Sequence, residues 1–149
     1  MSRLGRFAAL PAADKWLVFK AWALVWAVRI ALWVLPFKVL RRILRKISRH
    51  PPRRIQSTPH PVERVAWAIM TASRYVPGAR HCLTRALAVE TLLSRRGYRT
   101  QLHVGVARDD DKGIIAHAWV DTGGKVIMGG EELEKYTELK PSMSEPRRD

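Results

Sequence analysis

The chain has 149 residues, 47% of them apolar, which is enough for one domain with a real core and excludes a disordered polymer. A single cysteine excludes an intramolecular disulfide and fits a reducing compartment. The net charge of +14 is uneven: the first sixty residues hold thirteen Lys or Arg against one acid, Asp14, and the remainder holds fourteen against twelve. The charge therefore concerns placement or partners more than chemistry.

Met1 to Leu10 is basic, but Pro11 and Asp14-Lys15 interrupt before a signal-peptide apolar region forms, so a cytoplasmic location is expected. Residues 12 to 35 read as a first helix whose apolar run approaches membrane-spanning length. Lys20 and Arg29 lie inside that run, and each charge near a bilayer centre costs about 2.5 to 3.5 kcal/mol on insertion scales. A buried or interfacial helix is therefore expected. Trp22, Trp26, Arg29 and Trp33 fall on one stripe, which either packs on the core or docks a partner, since Trp and Arg dominate interface hot spots.

Pro36 ends this helix. Phe37, Leu40, Ile43, Leu44 and Ile47 form a second apolar stripe opposite Lys38, Arg41, Arg42, Arg45, Lys46 and Arg49. That face is either simply solvated or meets anionic lipid or an acidic protein. Phe37 is the only Phe, Tyr or Trp between residues 37 and 54, which argues against stacking on nucleic acid. His50 to Pro61, with four prolines, reads as a linker. A third helix, Val62 to Tyr75, should begin after Pro61 and present Val65, Ile69 and Ala72 to the core. The expected organisation is thus a basic helical region (1–49), a linker (50–61), a core (62–140) and a disordered tail (141–149).

Pro77-Gly78 is a turn, and the helix formers after it close on Arg95-Arg96-Gly97, which predicts a helix over residues 81 to 96. Cys82 lies in its first turn, where unpaired N–H groups and the positive dipole end favour a thiolate. A packing cysteine belongs on the apolar stripe of Leu83, Ala86, Leu87 and Leu93 instead. After Gly97 the period becomes 2: Tyr98 to Val106 is a strand, Asp109 to Gly113 a loop, Ile114 to Asp121 a second strand, and Lys125 to Met128 a third. Residues 131 to 139 read as a helix. The class is α+β, with a cysteine opening a helix that packs on a small antiparallel sheet, and a histidine, His117, on that sheet. Thiol hydrolases use this layout. His103 falls on the more polar face of its strand, as a surface or supporting residue. No cofactor or metal is expected, because no Cys/His cluster has ligand spacing.

The strings "CLTRALAVETLLSRRGY" and "AHAWVD", with the upstream "RIALWVLPF", resemble the leader peptidases of lasso-peptide biosynthesis in the transglutaminase-like cysteine protease superfamily. The resemblance spans about residues 20 to 139. It implies a papain- or transglutaminase-like core, Cys82 as nucleophile, His117 as base, and cleavage of a leader from a ribosomally made precursor peptide before a partner cyclase closes a macrolactam. Some members carry a fused winged-helix recognition domain. The first sixty residues here lack the strands for one, so a split system with a separate recognition protein is expected.

The orienting carboxylate is Asp121, which stands in "HAWVD", although it lies about 13 Å along the strand from His117. In that superfamily the carboxylate usually lies on the following strand. A two-residue turn at Gly123-Gly124 puts Gly130 opposite His117, and Glu131 is the reserve after a one-residue slip. The alternatives are an inert scaffold of the same fold, or a protein that binds a membrane surface or anionic partner through its basic helices.

Overall fold

Helix α1 (Ala12–Val34) carries no interior glycine or proline and stops where it must. Leu35, the residue before Pro36, is extended at φ −112°, ψ 145°, because a proline ring clashes with a helical predecessor. Helix α2 (Phe37–Ser48) starts directly after Pro36; α3 (Val62–Ser73) and α4 (Cys82–Arg95) follow. The computed structural model describes Gly5 and residues 8–48, 62–78 and 82–139. The expected linker and tail, along with His50, His60 and His81, lie outside the described residues.

Helix α4 ends as its sequence requires. The Tyr98 N–H donates to the Leu93 carbonyl and the Gly97 N–H to the Ser94 carbonyl, both at 3.1 Å, the paired bonds of a Schellman stop. The chain then turns into β1 (Thr100–Asp109) and β2 (Gly113–Thr122). Between them the N–H groups of Asp111 and Lys112 donate to the Asp109 carboxylate, each at 3.0 Å. That side-chain turn sets the hairpin register, placing His103 opposite Trp119, Gly105 opposite His117 and Gln101 opposite Asp121. Strands β3 (Lys125–Met128) and β4 (Thr137–Glu138) complete an antiparallel sheet ordered β3-β2-β1-β4.

One face of the sheet, including Ala118 and Val120, packs with Leu17, Val25, Val65, Ile69 and Leu93 into a single apolar core. Helix α2 adds Leu40 and Leu44 against Val28 and Leu87. Polar ties reinforce the helix packing: Arg64 with Asp14 (α3 to α1), Arg41 with Glu90 (α2 to α4), and Arg85 Nε donating to Ser73 Oγ at 3.0 Å. The α+β class is as the sequence implies.

One element differs. The helix expected over 131 to 139 is a single 3-10 turn, Leu133–Lys135, followed by β4. Glu132 takes a left-handed conformation (φ 53°, ψ 33°) that a helix cannot continue through. Contacts on the far face of the sheet, made by Tyr136 and Glu138, prevail over local helix propensity.

Candidate active site

Cys82 is the first residue of α4 and half-buried, and its Sγ lies 3.9 Å from the carbonyl oxygen of Ala116. Which edge of β2 that carbonyl faces follows from Gly129. A Cβ added there would come within 2.5 Å of the Ala118 carbonyl, so Ala118 O points toward the β3 side. Carbonyls two residues apart on a strand point the same way, so Ala116 O does too. Strand β3 pairs with β2 only from Val120 to Thr122. The sulfur therefore sits at a stretch of β2 edge that no strand among the described residues covers.

His117 approaches the same edge from the other face. Its side chain shares the outer face with Trp119 and Asp121, while neighbouring Ala118 and Val120 point into the core. Its Nε2 is 2.7 Å from the Gly129 carbonyl oxygen. A carbonyl only accepts, so Nε2 carries the proton and Nδ1 keeps the lone pair. The ring is further held by Tyr136, stacked at 4.8 Å between centroids, and by Trp119 at 6.2 Å. Sulfur and imidazole share no hydrogen bond; the sulfur lies at the carbonyl of Ala116, the residue that precedes His117 in the chain.

The structure does not bring Asp121 to His117. Its carboxylate bonds His103 Nε2, and Glu138 takes the other ring nitrogen. His103 in turn stacks on Trp119 at 5.5 Å, with planes 11° apart. Gly105, between the two histidines on β1, leaves room for this: a Cβ there would lie 2.9 Å from the Trp119 ring. The bulge between Val120 and Asp121 does supply the one-residue slip that would aim Glu131 at His117. Pairing stops at Met128, however, and Glu131 is exposed in the following turn. Sequence reasoning placed His103 as a surface or supporting residue without its partners, and missed Glu138, Tyr136 and the Gly129 carbonyl. The Asp109 turn was the available signal for His103, because counting back from it sets His103 opposite Trp119.

Burial depresses the His103 pKa, but its hydrogen bonds to Glu138 and Asp121 outweigh that and hold it above the ordinary value of 6.5. A raised folded-state pKa adds stability that is fully present below the unfolded value and lost as pH rises through the folded one. The thermal midpoint should therefore fall as pH is raised above about 6.5, and His103→Gln should flatten the fall. Parallel profiles for the two proteins would show that the clamp contributes nothing.

The Trp/Arg stripe of α1 is divided. Trp26 is half-buried against the core, and Arg29 reaches the α3–α4 turn, where its guanidinium lies 2.7 Å from the position of a Cβ on Gly78. Trp22 and Trp33 face outward at 39% and 84% exposure.

A thiol that opens a helix packed on an antiparallel sheet, with an imidazole at that sheet's edge, is the architecture of thiol-dependent acyl-transfer proteins. The model of the Transglutaminase-like superfamily matches residues 22–140, and the chain belongs to that superfamily. No curated protein and no solved structure matches it.

Proposed function

We propose that the protein is a cysteine peptidase that removes the leader from a ribosomally made lasso precursor peptide. In this reading a separate winged-helix protein presents the leader and a cyclase closes the ring afterwards. The observation that carries the peptidase chemistry is the position of Cys82 Sγ, 3.9 Å from the carbonyl oxygen of Ala116, the residue that precedes His117 on β2. The lasso assignment rests on the resemblance of "CLTRALAVETLLSRRGY" and "AHAWVD".

Cys82 gives its proton to His117 Nδ1, and the thiolate attacks the peptide carbonyl carbon; a C–S bond forms and the carbonyl electrons move to oxygen. Collapse expels the amine, which takes the proton back from the imidazolium, and water then cleaves the thioester with His117 as base. The Cys82 backbone N–H, which in the first turn of α4 has no intrahelical acceptor, is an oxyanion donor. An extended substrate lying along β2 finds acceptors in the carbonyls of Ile114 and Ala116, because no strand among the described residues pairs with that edge. The group that orients His117 is the Gly129 carbonyl. Asp121 acts through His103 and Trp119, as a positioning residue.

The test is cleavage of a precursor peptide in the presence of the recognition protein, read by product mass. Cys82→Ala and His117→Ala should give no product. Asp121→Asn should lower the rate about tenfold, with retention of the cut site, and Glu131→Ala should match wild type. A loss for Asp121→Asn as deep as for His117→Ala would restore it as the direct partner of the base. Full activity in Cys82→Ala would overturn the thiol mechanism, and no cleavage by the wild-type protein would leave an inert scaffold as the reading.

A further inference from the structure

Helix α1 carries large apolar residues well beyond its buried side. Leu17, Ala21, Val25 and Val28 are at most 2% exposed, whereas on the outward side Trp16 is 59%, Phe19 54%, Ile30 53% and Trp33 84% exposed. At 3.6 residues per turn these outward residues fan across roughly 100° of the helix. A core helix of such composition is covered all round, but only 28% of its most apolar window is buried.

The adjoining helix supplies charge. Lys38, Arg42, Arg45 and Lys46 of α2 are exposed, and none forms an ion pair among the described residues. From Lys15 to Ser48 the chain has no acid. Between the helices runs an apolar groove of about 630 Å³, walled by Ala23 and Ala27 of α1 and Ile43 and Ile47 of α2, with Leu92 of α4 beneath. Its only charged lining residues are basic: Lys20, Arg95 and Arg96. The groove joins the outward sides of α1 and α2 into one apolar surface with cationic flanks.

We infer that this surface seats the protein on an anionic phospholipid bilayer, with α1 lying in the interfacial plane. Spanning would strip the inner side of α1 from the core and part Asp14 from Arg64, so the helix binds lengthwise. A docked partner helix would fill the groove but leave Trp33, Val34 and Phe37 bare at the α1–α2 corner, at 84%, 66% and 40% exposure. A lipid interface covers the whole surface at once, accepts indole rings at headgroup depth, and neutralises unpaired cations with lipid phosphates. The seat lies away from the candidate active site: Cys82 opens α4 and the groove reaches Arg95 at its other end, about 20 Å of helix away.

The test is flotation of the full chain with phosphatidylcholine vesicles, with and without phosphatidylglycerol, at low and high salt. Binding should require phosphatidylglycerol and weaken as salt rises. Arg42→Gln and Lys46→Gln should each reduce partitioning about fivefold, and Trp33→Ser should reduce it without altering the thermal midpoint, since all three side chains stand in solvent. The inference is overturned by absence of flotation, or by flotation indifferent to phosphatidylglycerol and to these substitutions. It is equally overturned if Trp33→Ser leaves vesicle binding intact but dissolves an oligomer or a complex with another protein.

Discussion

Cys82→Ala is expected to reduce precursor cleavage by at least about 10³-fold, to the level of the peptide alone, while the protein stays folded. The two halves of that outcome have separate physical sources. The chemical half follows because the chain has a single cysteine, so no second thiol can take over. Water, without Sγ, would have to attack an amide directly. The structural half follows because the sulfur makes one weak polar contact, 3.9 Å to the Ala116 carbonyl, at a half-buried position. Its loss should cost under about 1 kcal/mol, within the range of a minor surface-edge substitution. Cys82→Ser provides the complementary variant, since it keeps size and hydrogen-bonding geometry but offers a far poorer nucleophile at neutral pH. Both should lose activity with thermal midpoints lowered by no more than about 4 °C. Iodoacetamide should modify wild type at this one position and abolish cleavage in proportion to labelling. Residual cleavage by the alanine variant above the peptide-alone rate would contradict the thiol mechanism outright.

The parts of the fold governed by local rules were legible in the sequence. Pro36, the Arg95-Arg96-Gly97 stop and the Asp109–Gly113 turn each act within a few residues, so α1, α4 and the β1–β2 hairpin fall close to where periodicity puts them. Cys82 opening a helix and His117 on the facing strand follow from the same local signals. What surrounds His117 was not legible, because it depends on how residues 129 to 138 fold back across the outer face of the sheet. Local composition reads that segment as helix. Its actual path is fixed by Glu138 pairing with His103 and by Tyr136 stacking on His117, contacts between positions 35 and 19 apart in the chain. The assignment of Asp121 was exposed to the same difficulty. Its strand and face are evident from alternation, but its nearest imidazole proves to be on β1, across the hairpin, not two residues earlier on its own strand.

Gly129→Ala should be the most damaging substitution outside the thiol and imidazole. Gly129 has φ +77°, a left-handed conformation that costs any residue with a Cβ about 1 to 2 kcal/mol. Its environment adds to this cost: the new Cβ would stand 2.5 Å from the Ala118 carbonyl oxygen and 3.1 Å from the Trp119 Cα, both backbone atoms of the central hairpin that have no freedom to move aside. Residue 129 must therefore shift, and its carbonyl is the acceptor for His117 Nε2. With that bond lost, the imidazole is released from the orientation that leaves Nδ1 as the lone-pair nitrogen. A displacement of about 1 Å in a reacting group typically costs on the order of 10²-fold in rate. The expected result is a loss of about 2 kcal/mol or more in stability together with a roughly hundredfold slower cleavage. The matched control is Gly123→Ala, also at positive φ (59°) but with nothing within 4 Å of the added Cβ, which should show the conformational cost and keep its rate. If both variants cleave at the same rate, the Gly129 carbonyl does not orient the base, and a side chain must take that role.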